Sequence, residues 1–113
     1  MKTLFQKIAD GDIPAEILYS DSDIVAFRDI NPQAPQHVLI IPRRPIPTLN
    51  HLEISDVELV GRMVLAASRL ARELGVADNG YRLVINCGPL AGQEVYHLHL
   101  HLLGGRPMKW PPG

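Results

Sequence analysis

Apolar residues recur along this chain in two rhythms, and each switch between them marks an element. Residues 3 to 10 predict a short helix, with Leu4, Phe5, Ile8 and Ala9 on one side and Gly11 ending it. Ile17 to Tyr19 reads as a short strand, Asp21-Ser22-Asp23 as a turn, and Ile24 to Arg28 as a second strand. In Asn31-Pro32-Gln33-Ala34-Pro35 each proline pushes its predecessor away from helical backbone, so this stretch is a loop. His37-Val38-Leu39-Ile40-Ile41 is a buried strand by its β-branched content, stopped at Pro42.

The three- and four-residue rhythm is clearest from about Asp56 to Leu74. Ser55-Asp56-Val57-Glu58 has the spacing of a capping box, in which Ser and Glu satisfy each other's free backbone N–H groups. Val57, Val60, Val64, Ala67 and Ala71 then define an apolar stripe flanked by Met63, Leu70 and Leu74. Arg62, Arg69, Arg72 and Glu73 lie largely opposite, and Gly75 supplies the stop. Two strands follow, Tyr81 to Asn86 and Glu94 to Leu103, separated by a Gly-rich turn. The sum is an α+β fold: an antiparallel sheet of about five strands, one long helix packed on one face, and one short N-terminal helix.

Composition narrows the setting more than the chemistry. A length of 113 residues suits a single domain spanning 1–113, and 46% hydrophobic with 20% charged residues is ordinary for a globular chain. The formal net charge of −1 argues against nucleic acid or a membrane surface as partner. No apolar run reaches transmembrane length, and Gln6 and Lys7 interrupt the start where a signal peptide needs continuous apolar residues, so a cytoplasmic protein is expected. Cys87 is the sole cysteine, which leaves no internal disulfide and no Cys-x-x-Cys cage; it reads as a small buried hydrophobe.

The last strand carries the candidate chemistry. Side chains alternate faces along a strand, so His97, His99 and His101 share one face while Tyr96, Leu98, Leu100 and Leu102 share the other. The leucine face would meet the long helix. Three imidazoles roughly 7 Å apart make a poor apolar wall. Two chemistries remain open on residues alone. His-x-His can present two neutral imidazoles to zinc, but the neighbourhood adds only Glu94 and Cys87 as further ligands. A neutral imidazole can instead attack phosphorus, with flanking imidazolium donors steadying the phosphoryl oxygens. The turn Gly88-Pro89-Leu90-Ala91-Gly92-Gln93 is suited to bring backbone N–H groups toward an anion, though it matches no phosphate-loop fingerprint.

His97-Leu98-His99-Leu100-His101-Leu102-Leu103 resembles the His-φ-His-φ-His-φ-φ signature of the histidine triad superfamily, φ being apolar. The rest of the chain is similar to the Hint branch, through Phe5-Gln6-Lys7-Ile8, Ile13-Pro14-Ala15, Ala26-Phe27-Arg28-Asp29-Ile30, Pro32-Gln33-Ala34-Pro35, Ile41-Pro42, Gly92-Gln93 and Trp110-Pro111-Pro112-Gly113. The resemblance implies a purine nucleoside phosphoramidase, cleaving the P–N bond between a nucleoside monophosphate (AMP or GMP amides) and an amine, with no cofactor. It implies His99 as the nucleophile that becomes nucleotidylated, with His101 and His37 contacting the phosphate or orienting it and His97 in support. Asp29 would hold the ribose hydroxyls, and Phe5, Ile8, Phe27, Ile30 and Leu39 the purine. Asn86, Gly92 and Gln93 would contact the phosphate and sugar. The tail 104–113 would join a homodimer in which Trp110 lies near the partner's site.

Two departures from the family pattern stand out. Glu94 occupies a position that is often Ser or Thr, where a carboxylate aimed at the site would repel phosphate. The structural-zinc ligands of some relatives correspond here to Leu4, Lys7 and Pro45, which cannot or do not replace them, so no metal is expected. The competing functions are hydrolysis of dinucleoside polyphosphates, a nucleotide-binding regulator with vestigial catalysis, and a metal-binding protein.

Overall fold

A computed structural model describes all of residues 1–113. Its sheet has the order β1-β2-β3-β5-β4, every neighbour antiparallel, built from β1 (Ile17–Ser20), β2 (Ile24–Arg28), β3 (Gln36–Pro42), β4 (Tyr81–Val84) and β5 (Leu100–Gly104). Helix α1 spans Leu4–Ala9 and helix α2 spans Val57–Glu73. The expected α+β architecture is what forms. No helix is long and apolar enough to cross a membrane.

Alternation along the strands sorts residues to two faces. Ile24, Ala26, Val38, Ile40, Leu98, Leu100 and Leu102 join Met63, Ala67, Leu70 and Ala71 of α2 in the larger core. On the other face Val25, Phe27, Leu39 and Ile41 pack under Phe5 of α1. At six residues α1 is too short to persist alone. It is held by the Thr3 cap, by Phe5 burial, and by the Arg43 guanidinium, which donates to Ala9 O, Asp21 O and Ser20 Oγ.

The stripe on α2 differs from expectation. Val57 and Val64 are 69% and 44% exposed, and the buried positions are Met63, Ala67, Leu70 and Ala71. At 100° per residue Val57 and Val64 fall on the flank of that set, so β-branched spacing alone misplaced the centre of the face. The capping box lies two residues earlier. Asp56 Oδ2 accepts from Glu53 N–H, while Asp56 is itself the N-cap of α2 without a side-chain cap bond. Its other oxygen pairs with Arg44. Ser55 and Glu58 make no such pair. At the far end Val76 N–H donates to Ala71 O, closing the helix in the manner expected for Gly75.

Both late strands are shorter than expected. Ile40 pairs with Leu100, and the ladder stops there: Pro42 has no N–H, and Leu98 N–H donates instead to Ile46 O at 2.6 Å. Residues 94–99 therefore run outside the sheet. Because β5 starts only at Leu100, its other neighbour ends at Val84, opposite His101, and leaves Ile85 and Asn86 unpaired. The alternation nevertheless persists through the irregular stretch, since Leu98 is in the larger core while His97 and His99 contact Phe5.

Candidate active site

The sheet register brings His37 and His101 together from two strands, and His99 follows from the stretch just ahead of β5. Phe27, Leu39, His101 and Val84 stand in one row across β2, β3, β5 and β4, and His37 sits two residues along β3 from Leu39. A cleft of about 400 Å³ opens over this row, a size suited to a small-molecule ligand. Phe5, Ile8, Phe27 and Leu39 form its apolar wall, and Asp29, His37, His99 and His101 its polar end. Ile30, Asn86, Gly92 and Glu94 also line it, with Ile30 almost wholly exposed at the rim.

Hydrogen bonds set the proton positions. A carbonyl oxygen can only accept, so His99 Nδ1, 2.7 Å from His97 O, carries its proton and leaves Nε2 with a free lone pair. The neighbouring pair is wired with the opposite polarity. Gln33 N–H donates to His37 Nδ1 at 3.0 Å, which places the His37 proton on Nε2. That N–H donates to His101 Nδ1 at 2.9 Å, so His101 keeps its own proton on Nε2. One cleft therefore holds a bare imidazole nitrogen and a protonated one, each assigned by a main-chain group.

Burial keeps all four rings neutral. It pushes His37, His97 and His99 below the ordinary imidazole range, against a smaller opposing pull from Asp29 on His37 and from hydrogen bonding on the other two. His101 is pushed down to about 4, first by burial and then by His99 and His37. The expected imidazolium flanks are thus replaced by neutral N–H donors.

Asp29 Oδ1 accepts from Asn31 N–H at 2.8 Å, fixing the carboxylate at the end of β2, and Oδ2 lies 3.6 Å from His37 Nε2. Oδ2 remains free to accept. Ligand atoms of Asp29, His37 and His101 come within 4.8 Å of one another, the closest set that could approach a metal ion. His37 Nε2 would have to lose its proton to ligate. Its Nδ1 would then carry a hydrogen facing the Gln33 N–H, so the donor set fits a metal poorly.

One expected contact lies elsewhere. The Gln93 amide is consumed within its own loop, accepting from Gly88 N–H and donating to Pro47 O and Val95 O. It braces the turn and does not face the cleft. Gly88 and Gly92 have φ of 86° and 84°, the left-handed backbone that lets this turn close. His97 is fully buried behind His99, bonded to Pro42 O and Thr3. Trp110 is 83% exposed and belongs to no wall of the cleft in its own chain. Sequence reasoning passed over Thr3 and Gln33; Thr3 did carry a signal, as a hydroxyl residue directly before the helix.

Comparison with known proteins agrees with this fold. A model of the HIT domain matches residues 10–108. The purine nucleoside phosphoramidase of Escherichia coli is 50% identical over 107 residues, covering 95% of this chain and 90% of that protein. An uncharacterised HIT-like protein of Synechocystis is 52% identical over 98% of this chain and 96% of its own length. Among solved structures, a HIT family hydrolase from Legionella pneumophila superposes with a TM-score of 0.97 at 54% identity, covering 99% of this chain and all of that one.

Proposed function

The chain belongs to the HIT domain family, and on that premise we propose that it is a purine nucleoside phosphoramidase working through a nucleotidylated His99. The observation that carries this reading is the bare Nε2 of His99 at the polar end of the cleft, its proton held away on Nδ1 by the His97 carbonyl. The purine would occupy the slot of Phe5, Ile8, Phe27 and Leu39 under Ile30, with Asp29 accepting from the ribose hydroxyls. The phosphate would lie at His99 and His101, beside Asn86, Gly92 and the braced turn at Gln93.

In the first half-reaction the His99 Nε2 lone pair bonds to phosphorus, the bond from phosphorus to the amine breaks, and the amine leaves with a proton from solvent. The His99 ring is then cationic, and its Nδ1–H bond to the His97 carbonyl stabilises that charge. The neutral His101 N–H, supported by His37, donates to the phosphoryl oxygens. Water next attacks phosphorus and gives up a proton to solvent, the bond to His99 breaks, the nucleotide departs, and the ring is neutral again. Glu94 is exposed at the rim, so its carboxylate can stay in water while the phosphate sits deeper.

The test is hydrolysis of an adenosine 5′-phosphoramidate carrying a fluorescent amine, by wild type and His99→Asn, with and without EDTA. The expected result is turnover that survives EDTA and falls roughly a thousandfold or more in the variant. Undiminished turnover in the variant removes the mechanism, and nucleotide binding without turnover by wild type favours a regulatory binder. We further read the protein as a cytoplasmic homodimer. Exposed Trp110 in the tail 104–113 and exposed Ile54 and Val57 beside α2 are apolar groups a second copy would cover. Sedimentation should return twice the 12.5 kDa chain mass.

A further inference from the structure

The residue that opens α1 also reaches the histidine cluster, and the reaction above makes no use of that contact. Thr3 Oγ1 accepts from Gln6 N–H at 2.9 Å, which is its capping role. The same oxygen lies 2.8 Å from His97 Nδ1. His97 Nε2 is committed as a donor to Pro42 O at 2.7 Å, so in the neutral ring Nδ1 is bare and the Thr3 hydroxyl donates to it. The His97 ring is thereby held at both nitrogens, one by β3 and one by the start of α1, with no exposure to solvent. Its main-chain carbonyl is the acceptor that holds the proton on His99 Nδ1.

We propose that Thr3 is a positioning residue for phosphoramidate cleavage: its hydroxyl clamps the His97 ring and so keeps the His97 carbonyl aimed at His99 Nδ1. The inference rests on the phosphoramidase reading. A Thr3 that served only as a helix cap would act differently. Helix α1 carries Phe5 and Ile8, which wall the cleft, so a loosened α1 weakens nucleotide binding. A released His97 instead lets the His99 ring turn and its proton move to Nε2, which spoils attack while the slot stays intact.

These two roles separate in kinetics and in the ring nitrogens. Thr3→Val removes the hydroxyl at nearly the same volume, and Thr3→Ser keeps it. Steady-state rates on the fluorescent phosphoramidate are paired with ¹⁵N spectra of the imidazoles, recorded without nucleotide. The expected result for Thr3→Val is a kcat lower by roughly tenfold to a hundredfold, on top of the rise in KM that loss of the α1 cap brings. Thr3→Ser should keep wild-type values. The spectra should show His97 protonated on Nε2 and His99 on Nδ1 in wild type, and mixed His99 tautomers in Thr3→Val.

A Thr3→Val enzyme with raised KM and unchanged kcat would reduce Thr3 to a cap, and an unaltered His99 tautomer would overturn the clamp. If wild type fails to hydrolyse the substrate, the phosphoramidase reading fails, and the spectra still decide the clamp. Should Thr3→Val not fold, a wild-type His97 protonated on Nδ1 is sufficient to overturn it.

Discussion

The two faces of the sheet are made from alternate residues of the same strands, yet they are finished in different ways. Toward α2 the side chains are Ile24, Val38, Ile40, Leu100 and Leu102, and a 17-residue helix seals them. Toward α1 the same strands present His37 and His101 beside Phe27 and Leu39, with His99 just ahead of β5, and a six-residue helix leaves a cleft over them. Stability is therefore concentrated on one face and the candidate site on the other. The lesson is that a β-strand with period two can serve both needs without compromise, provided that a second element is long enough to close the structural side.

Substitutions on the two faces should fail in opposite ways. The largest effect on stability is expected from Leu102→Ala, which opens a cavity in the α2 face and should cost about 2–5 kcal/mol in a urea titration. The nucleotide affinity of whatever fraction remains folded should be unchanged. If Leu102→Ala proves no more costly than changes on the α1 face, the division described above is wrong.

Acid should act through the α1 face. His37, His97, His99 and His101 all have folded values below the ordinary imidazole value of 6.5, with His101 at about 4. The unfolded chain then binds more protons than the folded chain between about 6.5 and 4, so stability rises with pH across that window. It should be flat with respect to these groups above about pH 7 and be lost progressively as pH falls from 6.5 toward 4. Melting temperatures from pH 4 to 8 read this directly, and a flat profile would mean that the rings are not held neutral by burial. The smallest effect belongs to His99→Asn, whose amide can still donate to the His97 carbonyl. It should shift stability by about 1 kcal/mol while removing turnover.

Much of this division was legible in the sequence. The alternation of His97, His99 and His101 with leucines announced two unlike faces, and β2 and α2 formed within a residue of where their patterns end. Apart from the α2 stripe and the charge of the histidines, the misreadings came from backbone groups whose partners are distant or unspecified. The start of β5 depends on Leu98 N–H reaching Ile46 O, and the cap before α2 on Asp56 answering Glu53 N–H where Ser55 and Glu58 had the familiar spacing. Gln93 was placed in the right loop but turned inward, because its acceptor Pro47 O is 46 positions away. The proton positions on the four histidines were invisible for the same reason. The carbonyl of His97 and the N–H of Gln33 carry no side-chain signature.

Reliance on a main-chain acceptor constrains how this site can change over evolutionary time. The acceptor that orients His99 belongs to the polypeptide itself, so no codon change can delete it; a substitution can only tilt it. As long as the Thr3 hydroxyl holds His97, a lineage can therefore exchange the residues lining the cleft without reversing which nitrogen of the central imidazole is available. The site is free to diverge in taste while its chemistry stays robust to mutation.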